Sequence, residues 1–443
     1  MHMEFQAVVF AAGKGSRFPE VIGPRAKCLI PIGQYPLIWY PLRLLERQGF
    51  KEAIVLVLDS HKLEIQSALD KTSLNLKLDF ISIPSEDYGT AESLRFIRDK
   101  LTRDVLVVPC DIVTESNIDE LLLLFRLHNA TISCMFFSNM DEKLFIPGPK
   151  NYYKPEHDIV CIDKQTNRLV LLASASDYSE SITFPLHLLK KHKSLTIFSK
   201  LLDSHIYAIR NDILDYLSYE KHITTIKGEL IPLVVKKQLS CKISTTENEN
   251  SKNSLMDLLR NDNTLNFNSA YNDSVNGSPK YFGDSIKCYA VVKKSNCLGI
   301  RVNNIASFCL CNQKIKELWP KINKDESELT LISQSSDIKS NQIDEKCIIG
   351  IKNVINEKTS LKNTLLESNC VVNPKVRITN SLIMSGVIIE ENVIVEDCVI
   401  GCNAVIGKGS NLKACLIGHS HKVSEGSIKQ KELLDESERL MEI

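Results

Sequence analysis

From Gln6 to Ala12 the chain is almost wholly apolar and then breaks into a glycine-rich turn, the pattern of a buried strand. Leu37 to Gly49 carries helical spacing and ends on glycine, and Ala53 to Leu58 is again an apolar strand run. Helical Ala91 to Leu101 gives way to strand Val105 to Pro109, and helical Ile118 to His128 to strand Thr131 to Phe137. Strands alternating with helices predict an α/β domain with a mostly parallel sheet. Ligands of such sheets bind at the carboxyl ends of the strands, where the Ala11 to Arg17 loop and Asp111 both fall. Between Thr246 and Lys280 the pattern dissolves: nine asparagines and several serines stand in a stretch too poor in apolar side chains to offset its ordering entropy. This predicts a disordered insertion at 246–280 within a first domain spanning 1–340.

From Ile349 a different regularity begins. Aliphatic residues stand at Ile349, Ile355, Leu361, Leu366, Val372, Ile378, Ile383, Ile388, Ile394, Ile400, Ile406, Leu412 and Ile417, separated by eight intervals of six residues and four of five. An inward aliphatic every sixth residue is the mark of a parallel β-helix, in which each short strand stacks on its counterpart in the next coil. An antiparallel sandwich would repeat at longer intervals. At about three hexads per coil the stretch predicts about four coils, spanning 341–420, followed by a charged tail at 421–443 with perhaps one helix's worth of residues and no core of its own.

Composition narrows the function. Lys and Arg number 54 against 54 Asp and Glu, so no field of one sign covers the molecule, which argues against holding nucleic acid or an anionic membrane by bulk charge. Apolar residues at 43% and charged residues at 24% are ordinary for a globular chain of this length, with two or three domains. The longest aliphatic runs, Ala53 to Leu58 and Leu121 to Leu124, fall far below the roughly 18 residues that span a bilayer. Fourteen cysteines lie scattered without a CxxC pair and read as reduced thiols. Met1 to Phe10 has no basic segment, apolar core and cleavage site, so the expected location is the cytosol.

Candidate chemistry sits at the strand ends. Ala11 to Arg17 reads AAGKGSR, whose glycines let backbone amides approach a phosphate. It lacks the spacing of a P-loop and the third glycine of a dinucleotide fingerprint, and by itself a tight strand-to-helix turn explains it equally well. Lys27 follows ten residues beyond Arg17, a Gly-Thr-Ala turn stands at Gly89 to Ala91, and Asp111 closes strand Val105 to Pro109.

These blocks, in this order, resemble the nucleotide-sugar pyrophosphorylase family. The resemblance implies a nucleotidyltransferase-like domain with a Rossmann-like mixed sheet, followed by a left-handed β-helix. It implies that the amides around Ala12, Gly13 and Gly15, with Arg17, hold a nucleoside triphosphate, and that Lys27 stabilises the reacting phosphates. Gly89 and Thr90 would pack by the base, Asp111 would bind magnesium, and Asp203 would be a second metal ligand unless it is a solvent-facing turn residue. Fixed cations and amides suit the charge that builds when a sugar phosphate attacks an α-phosphate. The family's Glu-Lys-Pro strand, however, is matched by Arg168 to Ser174, RLVLLAS, which has neither glutamate nor lysine there, and the family's Asn-Ala-Gly-Ile-Tyr turn is Asp203-Ser204-His205-Ile206-Tyr207. A sugar phosphate should therefore bind poorly. An active pyrophosphorylase, for example one making GDP-mannose, is the alternative.

A closer resemblance spans nearly the whole chain. MEFQAVVFA at Met3 to Ala11, LIWYPLRLLERQGF at Leu37 to Phe50, GTAESLRFI at Gly89 to Ile97, DVLVVPCDIVTE at Asp104 to Glu115, KGELIPLVVKKQ at Lys227 to Gln238 and LMEI at Leu440 to Ile443 are similar to the gamma-subunit family of the eukaryotic translation initiation factor 2B complex. The resemblance implies a non-catalytic subunit of the guanine-nucleotide exchange factor that returns initiation factor 2 from its GDP-bound to its GTP-bound form. Its partners would be the epsilon subunit directly, the alpha, beta and delta subunits of the same complex, and initiation factor 2 as substrate, with no membrane and no direct DNA contact. No cofactor is then required; magnesium and a nucleotide are expected only if the ancestral pocket is occupied.

Overall fold

The computed structural model describes residues 4–13, 23, 25–138, 147–149, 158–174, 189, 192, 194–240, 286–294, 297–323 and 331–435. The expected insertion at 246–280, and with it Gly15, Arg17 and the final Leu440 to Ile443, lies outside the described residues.

The first domain is built on one nine-stranded sheet. Four of its strands, β1 (Phe5–Phe10), β4 (Glu52–Leu58), β5 (Lys77–Ile83) and β6 (Asp104–Pro109), run parallel in the order β6-β1-β4-β5. The other half is mixed. The long β11 (Leu195–Ile209) runs antiparallel to β6, to β8 (Ile132–Ser138) and to β9 (Asp158–Asp163). Strand β10 (Leu169–Ser174) closes one edge on β9, and β12 (Cys288–Lys293) pairs parallel with β8. Central strands read as continuous apolar runs because both sheet faces are covered. In β1, Ala7 and Val9 join one core and Val8 the other.

Helices flank the sheet close to where periodicity put them. Trp39–Arg47 buries Trp39, Tyr40 and Leu42 through Leu45, and the chain leaves it through Gly49 at φ +83, a left-handed stop that glycine adopts without strain. Trp39 stacks on Tyr35 and on Trp319 of helix Ile305–Ile322, with ring centroids 4.4 and 5.6 Å apart, so this aromatic cluster is core.

The second domain is a left-handed parallel β-helix of three six-stranded parallel sheets. Every cross-coil pair is 17 residues apart, as in Val354↔Val371, Ser360↔Arg377 and Ile348↔Leu365. The 17 residues divide six, six and five, and each corner is turned by one residue in the left-handed region: Asn363, Asn369 and Lys375, then Asn380, Gly386 and Asn392. Asparagine tolerates that conformation better than most side chains. At one corner the asparagines stack, with Asn363 Nδ2 donating to Asn380 Oδ1 at 2.9 Å.

Three expectations about this domain need correction. The strands run from Asp337 to Leu434, beyond the bounds 341–420, and there are six coils rather than four. The tail at 421–434 is not a tail or a helix: Lys422–Val423, Ile428–Gln430 and Leu433–Leu434 add a strand to each sheet. Val423 and Leu434 continue the inward columns of Ile406 and Ile417, but Lys429 sits where Leu412 stood, so the apolar signal fails one strand early. The third correction is one of register. Ile389 and Val395 point inward and are fully buried, whereas Ile388 is exposed and Ile394 faces outward. Adjacent aliphatics in a strand occupy opposite faces, and the sequence alone does not say which one goes in.

One of the three sheets is not free. Its outward residues Ile348, Leu365, Leu382, Val399 and Leu416 are buried in the core of the first domain. Polar contacts fasten the same seam: Arg25 donates to Glu367 Oε1 at 2.7 Å and to Ser385 Oγ at 2.8 Å, and the Gly148 amide donates to the Ala414 carbonyl at 2.8 Å. Each aliphatic removed from water there contributes about 1.5–3 kcal/mol, so the coils and the α/β domain share a core.

Candidate functional site

The carboxyl ends of β1 and β6 lie side by side because the two strands pair in register from Phe5↔Asp104 to Phe10↔Pro109. The Ala11 amide then donates to Leu56 and the Cys110 amide to Phe10, so Ala12, Gly13 and Asp111 all emerge at one edge. A Cβ on Gly13 would meet nothing within 4 Å. Lys27 enters from a short 3₁₀ helix, Lys27–Leu29, and its Nζ lies 2.5 Å from Asp111 Oδ2.

Asp111 is buried, and it has a second cation. Directly after it comes β7 (Ile112–Thr114), which forms a two-stranded antiparallel ribbon with β13 (Gly299–Arg301), and this pairing sets Arg301 opposite Ile112. The Val302 amide donates to the Asp111 carbonyl at 2.7 Å, so the backbone on each side of Arg301 is fixed. Its Nε lies 3.2 Å from Asp111 Oδ1, and its Nη1 lies 2.7 Å from His205 Nε2. A guanidinium only donates, so His205 accepts through Nε2 and is neutral. Burial, reinforced by the Arg301 and Lys227 charges, pushes the His205 imidazole well below its ordinary pKa. For Asp111, burial would raise the carboxyl, but Arg301 and Lys27 overcome it and hold the group well below the usual carboxylate range.

Asp203 is not a solvent-facing turn residue. It is buried at an irregularity in β11, where the pairing with β8 shifts between Asp203 and Tyr207. The bulge turns on His205, at φ +54, whose amide donates to Asp203 Oδ1 at 2.8 Å; the Tyr207 hydroxyl donates to Oδ2 at 2.6 Å. Burial raises the Asp203 carboxyl, against the pull of the nearby Lys227.

Gly89 and Thr90 open helix Thr90–Phe96, and both are engaged by the chain itself. A Cβ on Gly89 would come within 2.1 Å of the Thr224 carbonyl oxygen, so only glycine fits. The Ala91 amide donates to that carbonyl, and Thr90 Oγ1 accepts from the Ile226 amide at 2.9 Å. The turn thereby anchors the segment that delivers Lys227, whose Nζ is 2.8 Å from Asp158 Oδ2.

The structure thus brings Lys27, Asp111 and Asp203 to one place beside Ala12 and Gly13, and sets Gly89 and Thr90 against the Thr224–Ile226 backbone. Sequence reasoning missed Arg301, Asp158 and Lys227. Nothing local marks Arg301 or Asp158; Lys227 opens the block KGELIPLVVKKQ, and that position was the available signal. Strand β10, expected to replace the sugar-binding Glu-Lys-Pro strand, carries only apolar side chains and Ser174.

For magnesium the donor set does not fit. Both oxygens of Asp111 face cationic side chains, and both oxygens of Asp203 accept from Tyr207 and the His205 amide. No group of three or more His, Cys, Asp or Glu among the described residues could hold a metal ion. Among the same residues no helix is long and apolar enough to cross a membrane.

A nucleotidyl transferase family model matches residues 6–145. The chain is similar to translation initiation factor eIF2B subunit gamma of Caenorhabditis elegans, 31% identical over 242 residues, covering 54% of this chain and 59% of the worm protein, so under two thirds of that relative is spanned. It is similar to the gamma subunit of Schizosaccharomyces pombe, 26% identical with 82% of this chain and 73% of the relative covered. It is also similar to that of Dictyostelium discoideum, 25% identical with 83% and 88% covered. With a nucleotidyl transferase domain joined to a left-handed β-helix and gamma subunits of three distant eukaryotes aligned along it, the chain belongs to the eIF2B gamma-subunit family.

Proposed function

We propose that the chain is a non-catalytic subunit of the guanine-nucleotide exchange factor that replaces GDP by GTP on translation initiation factor 2 in the cytosol. It would pair directly with an epsilon-type subunit and assemble with alpha, beta and delta subunits. The names of the relatives support a role in translation initiation. The observation that carries the non-catalytic reading is the state of Asp111, whose two oxygens face Lys27 and Arg301 instead of a free edge where phosphates react. The apolar strand β10 supports it further, since a sugar phosphate brought there would be a buried anion without a cation. The chain's contribution is then to position its partner's catalytic arm and to contact the substrate factor, a coupling that weakens nucleotide affinity in both directions.

The test measures release of labelled GDP from initiation factor 2 by an epsilon-type subunit, alone and with this chain. Faster release with the chain present, and capture of the epsilon-type subunit on it, are expected; indifference to the partner would sink the proposal. The same preparation, given nucleoside triphosphate and a sugar 1-phosphate, should release no pyrophosphate. Pyrophosphate release that disappears in Asp111→Ala would establish the alternative, an active pyrophosphorylase.

A further inference from the structure

The geometry around Asp111 points to a specific replacement: we infer that Arg301 is a tethered cation standing in for a divalent metal ion, so that this pocket is built to work without one. A divalent ion at such a site has two tasks, to neutralise buried carboxylates and to tie together the strands that carry them. The Arg301 side chain does both. Its Nε meets Asp111 at the end of β6, and its Nη1 reaches His205, the residue that closes the bulge around Asp203 on β11. Lys27 takes the remaining oxygen of Asp111. Arg301 is held by the chain, since the ribbon pairing to β7 and the Val302 amide fix its backbone beside Asp111.

Entry of a metal ion would have to expel this side chain. The guanidinium is largely buried and would lose both of its polar contacts, leaving an uncompensated charge in the interior. The reverse exchange is open. Removing Arg301 leaves Asp111 with one oxygen free and His205 Nε2 facing it, a carboxylate and a neutral imidazole suited to a first-row divalent ion such as manganese. The inference concerns the ligand chemistry of the pocket alone, and it stands whether or not the exchange role holds.

Manganese(II) is the probe, because loss of its free electron paramagnetic resonance signal reports binding without any assay of activity. The full-length chain, with its epsilon-type partner if solubility requires, is titrated at millimolar ion. No stoichiometric binding that depends on Asp111 is expected in the natural protein. Arg301→Gln should bind about one ion per chain, its thermal transition should rise with added manganese, and the double variant Arg301→Gln with Asp111→Asn should lose both effects. Stoichiometric binding by the natural protein, abolished in Asp111→Asn, would overturn the inference and needs no variant at Arg301. A folded Arg301→Gln that binds no manganese would overturn it equally. Should Arg301→Gln fail to fold at neutral pH, rescue of its folding by manganese is the expected result, and failure of manganese to rescue it counts against the inference.

Discussion

The two domains solve the same problem, burying polar chemistry inside a fold, at different distances along the chain. In the β-helix almost every tertiary contact repeats at 17 residues, and the interior columns are aliphatic with small polar side chains at the corners, such as Ser381, whose hydroxyl bonds the Thr379 carbonyl two residues back. In the α/β domain the decisive contacts are singular: Lys27 reaches Asp111 across 84 positions, Arg301 reaches Asp111 across 190, and Arg301 reaches His205 across 96. A solenoid distributes its stability over nearly equivalent neighbours. A buried ion cluster concentrates it, because each member leaves the others uncompensated when it is removed.

The largest expected effect follows from that concentration. Asp111→Ala leaves Lys27 and Arg301 buried side by side without a counter-charge and should destabilise the chain by about 3–5 kcal/mol, read as a drop in the denaturant midpoint. Ile383→Ala, fully buried in the β-helix, should cost about 3 kcal/mol, the transfer of the side chain plus the cavity it leaves. Its damage should stay near its own and adjacent coils, visible as hydrogen exchange that rises around 366 and 400 and not at β6. Equal spread of exchange from both variants would erase the distinction drawn between the domains.

The same contrast explains what the sequence disclosed. The hexad rhythm, the strand-end position of Asp111 and the Lys27 spacing are local patterns, and local patterns are legible. Where the β-helix was misread, the rhythm itself had failed: Lys429 interrupts an aliphatic column, and the dipeptides Ile388-Ile389 and Ile394-Val395 offer two apolar residues for one inward position. Arg301 was illegible for another reason. Its role exists only because β13 pairs with β7, a contact between residues far apart whose register no local period records. Asp203 was half legible: the segment reads as a turn, and it is one, but a turn made by a bulge inside a strand, which buries the carboxylate it would otherwise expose.

His205 gives a smaller effect with a definite sign. Its folded pKa lies well below the ordinary value, through burial and the Arg301 and Lys227 charges, while in the unfolded chain it titrates near 6.5. As pH falls from about 7.5 to 5.5 the unfolded state therefore takes up a proton that the folded state refuses, and stability declines with a limiting slope of about 1.4 kcal/mol per pH unit. Asp203 works with the opposite sign, since its raised carboxyl binds a proton in the folded state first. The test is accordingly a difference: unfolding free energy against pH for the natural chain and for His205→Asn, which tolerates the left-handed backbone. The variant should lose the His205 part of the slope. Parallel curves would mean that His205 does not titrate as the buried neutral partner of Arg301.

The smallest effect probes the seam, where the two regimes meet. Arg25 stands two residues before Lys27 and is bonded to Glu367 and Ser385 on successive coils. Nearby, the ring of His419 lies so close to Gly23, at φ +58, that a Cβ there would come within 2.6 Å. The segment leading into Lys27 is thus moored to the coils. Arg25→Ala removes one charged hydrogen-bond set at a partly buried site and should cost about 1–2 kcal/mol. If mooring is its role, exchange should quicken at residues 25–30 of the α/β domain while the coils around Glu367, whose backbone bonds repeat on either side, stay protected. Lysine in its place keeps one charged contact and should restore part of that protection. An Arg25→Ala chain whose coils loosen before residues 25–30 would show the dependence running the other way, with the solenoid leaning on the singular contact.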